Sequence, residues 1–185
     1  SYIKLAVSPK NLETALRSLP KLGFAGTNIT TPHKENALRI VDYLDPIAER
    51  IGAVNTIFVN KDSSLYGTNT DGFGFIENLR SEAPEWEASK FPVVVLGAGG
   101  ASKSVVTSLL DAGVPEVRLV NRTLSRAKAF SLSVDGPIAV FDWEQASDFL
   151  RGASLVVNTT VLGMSGQPPL NIDLSFLSAN SLVAD

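Results

Sequence analysis

The spacing of apolar positions changes character about halfway along the chain. Residues 1–7 alternate well enough to predict a strand, and Pro9 opens a helical spacing through Leu12, Leu16 and Leu19. Gly23 and Gly26 bracket a turn into a short strand over 27–30. Thr31-Pro32 offers a hydroxyl N-cap followed by proline at the first helical position, which predicts a helix reaching about Leu44. A short helix at Pro46–Ile51 precedes a strand over 53–59, paired with one over 64–68 across a turn at 60–63. Asp71 then begins a helix carrying Phe75 and Leu79.

After a polar loop over 81–90 the pattern becomes a regular alternation of strand and helix. Strands are predicted over 91–96, 116–120, 137–140, 154–158 and 181–185, with helices over 101–112, 123–132 and 143–150. The unbroken apolar runs Val93-Val94-Val95-Leu96 and Leu155-Val156-Val157 suit strands buried on both faces of a parallel sheet. The expectation is an α/β protein of two domains, 1–71 and 72–185, with a crossover between Asp71 and Lys90. Both ends read as strands in mid-course, so an internal portion of a longer chain, truncated at both ends, is expected.

Composition narrows the classes of function. The 185 residues are 44% apolar and 19% charged, as in ordinary globular chains, and the formal net charge of -3 argues against a nucleic-acid or anionic-membrane surface. With no cysteine and one histidine, no thiolate or histidine-rich metal site is expected. There is no basic leader and no apolar run near the ~20 residues that span a bilayer. The expectations are a cytoplasmic protein, a monomer or homodimer, with no nucleic-acid or membrane partner.

The most informative stretch is Gly97-Ala98-Gly99-Gly100-Ala101-Ser102, placed between an apolar strand and a helix. That context makes it a phosphate cradle: glycines let a pyrophosphate approach the backbone, and the helix start attracts the anion. Ser102 stands where Gly or Ala is usual, yet is small enough for close packing. An NAD site places Asp or Glu about 20 residues further on, to bind the ribose 2′-hydroxyl. Here Asn121-Arg122-Thr123 stands at that strand end, with Arg126 one turn later, so a 2′-phosphate and hence NADP(H) is favoured.

A second polar group runs through Thr27-Asn28-Ile29-Thr30-Thr31-Pro32-His33-Lys34, joined by Asn55 and by Asn69-Thr70-Asp71-Gly72. Lys34 falls in a first helical turn, a place that disfavours a fixed ammonium, and reads either as a lysine that passes a proton at neutral pH or as a flexible surface lysine pointing away. Asp71 reads equally as an N-cap, Asn55 as an amide satisfying backbone, and His33 as a surface residue at a helix start.

Taken together, these stretches resemble the shikimate dehydrogenase family, NADP-dependent enzymes that reduce 3-dehydroshikimate to shikimate. The matching runs are Asn28 to Lys34, Gly52 to Thr56, Asn69 to Gly72, Gly97 to Ser102, Asn121 to Thr123 and Asn158 to Met164, in order along the whole chain. The resemblance implies an N-terminal α/β substrate domain and a C-terminal Rossmann-type domain for NADP(H). It implies Lys34 as the catalytic proton carrier with Asp71 its paired carboxylate, and Thr30, Asn55 and Thr70 as ligands of the substrate hydroxyls. It gives cofactor contacts to Gly97, Ala98, Gly99, Gly100, Ala101, Asn121, Arg122, Thr123 and Arg126, and places the nicotinamide half near Thr159 and Met164. Val161 stands where the family commonly has proline, and Ser8 is not assigned the role of the family's substrate-binding serines. The alternatives are a quinate/shikimate dehydrogenase with relaxed cofactor use and a non-catalytic module that binds NADP or shikimate.

Overall fold

The computed structural model describes all 185 residues, which form two compact units, Ser1–Thr70 and Asp71–Asp185. The first is built on a four-stranded sheet in the order β1-β3-β4-β2: Gly26–Asn28 (β1), Tyr43–Leu44 (β2), Thr56–Val59 (β3) and Leu65–Thr68 (β4). β1 and β4 run antiparallel to β3, whereas β2 lies parallel to β4. Leu12 and Leu16 of α1 (Leu12–Ser18), with Leu19, pack on Val54, Ile57 and Leu65, so the helical spacing of those leucines is the inner face of α1. α3 (Pro46–Ile51) starts as its sequence suggests: Asp45 caps it by accepting from the Ile47 N–H at 2.9 Å, with Pro46 next.

Two expectations fail in this unit. Residues 1–7 form no strand; Tyr2, Ile3 and Leu5 are largely exposed, and β1 pairs only with β3. Alternation marks residues suited to a sheet, but a strand exists only where a neighbour takes up its N–H and C=O groups. The helix expected over 31–44 is a single turn, α2 (Lys34–Ala37), with His33 rather than Thr31 at its N-cap and a cis peptide before Pro32. Beyond it the chain is drawn across to β4. Asp42 accepts from the Leu65 N–H at 2.8 Å, Asp45 accepts from the Tyr66 hydroxyl at 2.9 Å, and Tyr43–Leu44 form β2 between those two brackets.

The second unit holds a five-stranded, wholly parallel sheet in the order β7-β6-β5-β8-β9. Its strands are Val93–Leu96 (β5), Val117–Asn121 (β6), Ile138–Asp142 (β7), Leu155–Asn158 (β8) and Leu182–Ala184 (β9). Every residue of β5 is fully buried, and its side chains divide by the two-residue period. Val93 and Val95 face a core built with α4 (Asp71–Glu82), α5 (Gly100–Asp111) and α6 (Leu124–Ser133); Val94 and Leu96 face a second core with Ala146 and Leu150. Each such side chain contributes about 1.5–3 kcal/mol by leaving water. Trp143–Leu150, expected as an α-helix, is a 3-10 helix, and residues 81 and 82 belong to the end of α4 rather than to a loop.

Asp71 opens α4, so the unit boundary falls one residue before the expected one. The chain runs outward from β5 to β6 and β7, then returns to place β8 on the other side of β5. The carboxyl ends of β5 and β8 therefore frame a topological switch point, where open α/β sheets bind ligands.

Candidate functional site

The glycine turn sits at that switch point. Gly97 has φ +101°, and a Cβ built there would lie 2.9 Å from Thr160 Cγ2 and 3.0 Å from Thr159 Oγ1, so the turn after β5 is pressed against the turn after β8. Only glycine meets both demands. At Gly99 a Cβ would stand in open space, so the backbone there faces a free volume, as a pyrophosphate cradle requires. Gly100 and Ala101 begin α5, whose first N–H groups lack intrahelical carbonyls.

Ser102 does more than fit. It is fully buried, accepts from the Gly99 N–H at 3.0 Å, lies 2.8 Å from the Gly97 carbonyl oxygen as donor, and meets Thr159 Oγ1 at 2.7 Å. Thr159 Oγ1 in turn lies 2.7 Å from the Leu96 carbonyl oxygen. The hydroxyls of Ser102 and Thr159 thus bolt the cradle to the loop after β8. Asn158 shapes that loop, accepting from the Thr160 N–H and hydroxyl and donating to the Leu162 carbonyl at 3.0 Å.

The end of β6 closes the other side. Asn121 turns its amide inward: Oδ1 accepts from the Ala98 N–H at 3.2 Å and Nδ2 donates to the Thr123 carbonyl at 2.8 Å. It acts as a strut beneath the cradle. Arg126 Nε donates to the Ala98 carbonyl at 2.9 Å, which draws its guanidinium to the glycine turn. Thr123 is the N-cap of α6 and makes no side-chain capping bond. Arg122 is exposed and, with Gly97, Ala98, Gly99, Asn121, Arg126 and Thr159, lines a groove of about 460 Å³. Met164 is exposed and does not line it.

The groove fits an NADP-type dinucleotide by its own chemistry: a cradle open at Gly99, two guanidinium groups beside it, and no carboxylate on its wall. Trp143, Gln167 and Pro168 also line it, and no motif in the sequence points to them. The signal for Ser102 was present, since a polar residue on the packed face of a helix needs a buried partner.

In the first unit Asn55 is a buried hub. Its Nδ2 donates to Thr70 Oγ1 at 3.1 Å, and its Oδ1 accepts from the Thr70 N–H at 3.0 Å and from the Thr56 hydroxyl at 2.9 Å. Its carbonyl accepts from the Ile29 N–H at 2.7 Å, which brings the Thr30 segment alongside. The Lys34 carbonyl accepts from the Val54 N–H at 2.9 Å, anchoring the start of α2 to the same place. Asn55 thus bonds Thr70 directly and Ile29, next to Thr30, through its carbonyl, while Val54 beside it bonds the Lys34 backbone; Asp71 belongs to the other unit. His33 is not a simple surface residue: it is half-buried, with Nε2 2.9 Å from the Val7 carbonyl oxygen. Near β2, the hydrogen bond from Arg17, aided by the Leu65 N–H, holds the Asp42 carboxyl below its ordinary value.

The Shikimate dehydrogenase substrate binding domain matches residues 1–57, and the Shikimate / quinate 5-dehydrogenase domain matches residues 79–163. The chain is also 52% identical, over all of its length and 67% of the relative's, to shikimate dehydrogenase (NADP(+)) of Paramagnetospirillum magneticum. The chain belongs to the shikimate dehydrogenase family. Among solved structures it is similar to quinate dehydrogenase of Corynebacterium glutamicum in complex with NAD, with TM-score 0.88, 30% identity, and coverage of 97% of this chain and 65% of that one. It is likewise similar to shikimate 5-dehydrogenase of Thermus thermophilus in complex with NADP(H) and shikimate, with TM-score 0.77, 34% identity, and coverage of 96% and 64%. The chain thus spans about two thirds of the length of the family members it matches. No helix is long and apolar enough to cross a membrane.

Proposed function

We propose that this member of the family catalyses the reversible NADPH-dependent reduction of 3-dehydroshikimate to shikimate in the cytoplasm. The observation that carries the cofactor reading is the end of β6, where Arg122 and Arg126 stand beside the glycine turn with no carboxylate on the groove wall. The substrate follows from the family.

Bound NADPH supplies the hydride, and the chain's residues supply orientation and the proton. Lys34 stabilises the charge that develops on the substrate carbonyl oxygen and protonates it; in the reverse direction it takes the proton back. Asp71 is the accompanying carboxylate, on the likeness of Asn69-Thr70-Asp71-Gly72 to the family's motif. Thr30, Asn55 and Thr70 recognise the ring hydroxyls. The bonds that hold Asn55 against Thr70 and Thr56 favour this role, because a ligand fixed beforehand loses little freedom on binding.

The quinate dehydrogenase relative shows that the fold also accepts NAD, but an NAD site calls for an acidic residue at the end of β6. Replacing Lys34 by Ala tests the assignment. Turnover should fall by roughly 10²–10⁴-fold, as for loss of a general acid, with NADP⁺ affinity by calorimetry nearly unchanged. Undiminished turnover would remove Lys34 from the chemistry, and a wild-type protein that binds but never turns over would be a non-catalytic module.

A further inference from the structure

We infer that Trp143 is the aromatic wall against which the adenine base of the cofactor stacks. The inference rests on the NADP(H) reading of the groove and adds the side chain that recognises the base. Trp143 is the only aromatic residue lining that groove. It stands immediately after β7, whose last residue Asp142 is in register with Asn121 of β6, so Trp143 emerges beside Arg122 at the carboxyl ends of adjacent parallel strands.

Its position is fixed from behind. Asp142 caps the 3-10 helix that begins at Trp143 by accepting from the Glu144 N–H at 3.3 Å, and the half-buried indole packs against the core that includes Val94, Leu96 and Val120. An aromatic face held in this way loses little freedom when a base lies on it.

The strand order decides which end of the dinucleotide meets it. A dinucleotide bound in this groove would place its pyrophosphate over the turn after β5 and its 2′-phosphate with Arg122 after β6. Neighbouring strands lie about 4.8 Å apart, so the line from phosphate to adenosine runs toward β7, which follows β6 in the sheet. The nicotinamide half would then run the other way, toward the loop after β8. The ring nearest Trp143 is therefore the purine, and a purine is the kind of ligand that an indole face holds well.

The test uses the two tryptophans of the chain. Trp86 donates from its indole N–H to Ser154 Oγ, just ahead of β8 and thus at the opposite end of the strand from the groove. In Trp86→Phe the remaining emission is that of Trp143, and titration with 2′,5′-ADP, which lacks the nicotinamide, should quench it. Trp143→Leu should lower 2′,5′-ADP affinity by calorimetry about tenfold, within the range for base–aromatic stacking. Trp143→Phe should recover most of that loss, and nicotinamide mononucleotide binding should be the same in all three. Calorimetric binding of 2′,5′-ADP with Trp143 emission unmoved and Trp143→Leu at wild-type affinity would overturn the inference alone. Failure of the wild type to bind 2′,5′-ADP would overturn the cofactor reading and this inference together.

Discussion

Replacing Ser102 by Ala should show whether the cradle is held by its glycines alone or by the hydroxyl pair beneath them. Three oxygen contacts meet there, Ser102 with Gly97, Ser102 with Thr159, and Thr159 with Leu96, at 2.8, 2.7 and 2.7 Å. The two hydroxyls carry one proton each, so two of the three contacts are hydrogen bonds at any moment. Ser102→Ala removes the acceptor of the Gly99 N–H and the donor to the Gly97 carbonyl, at about 1 kcal/mol each. The sum of about 2 kcal/mol corresponds to a fall in Tm of roughly 4–8 °C for a chain of this size. Thr159→Val should cost less, about 1 kcal/mol, because the Leu96 carbonyl keeps its bond from the Thr159 N–H at 3.0 Å. In the double variant the losses should fall short of additive by about 1 kcal/mol, since the hydroxyls share one network. Hydrogen exchange at the Gly99 amide gives the direct readout, faster in Ser102→Ala and little changed in Thr159→Val. Unchanged exchange at Gly99, with an unchanged Tm, would refute the reasoning.

Other positions give independent tests. A Cβ at Gly72 would lie 2.0 Å from Ser108 Oγ and 2.6 Å from the Ser104 carbonyl oxygen, so α4 touches α5 backbone there. Gly72→Ala should therefore destabilise by about 1–3 kcal/mol despite alanine's better helix propensity, measured by urea unfolding. Gly97→Ala combines a left-handed φ with contacts at 2.9 and 3.0 Å, and should lower NADP⁺ affinity by at least about tenfold in calorimetry. The Asp42 carboxyl is held below its ordinary value of 3.8, chiefly by the hydrogen bond from Arg17. Its contribution to stability is present above pH 3.8 and lost as pH falls through the lower folded value. Asp42→Asn should leave a shallower acid limb in unfolding curves, and an identical limb would count against that pairing.

The parallel sheet was the most legible part of the sequence. Val93-Val94-Val95-Leu96 could satisfy its side chains only with a core on each face, and the glycines after it announced the turn to α5. Residues 1–7 misled because alternation records which side chains suit a sheet, whereas pairing depends on a neighbour elsewhere in space. The helix expected to Leu44 failed for a related reason: Asp42 and Asp45 bind across to β4, a long-range attraction that no local helical preference reveals. In the groove, the tight turn at Gly97 could be read because its requirement, a left-handed φ, is local. The inward turn of Asn121 and the partners that the Ser102 hydroxyl reaches could not, since both depend on which carbonyls and N–H groups the fold brings within reach.

On the proposed function, this chain reads the 2′-phosphate of NADPH and uses that cofactor on 3-dehydroshikimate. The most direct test is the initial rate of 3-dehydroshikimate reduction, followed by nicotinamide absorbance, with NADPH and with NADH. Loss of charge-assisted hydrogen bonds worth about 1.5–3 kcal/mol each should put kcat/KM for NADPH about a hundredfold above that for NADH. Equal efficiencies with the two cofactors, or no reduction with either, would contradict the account.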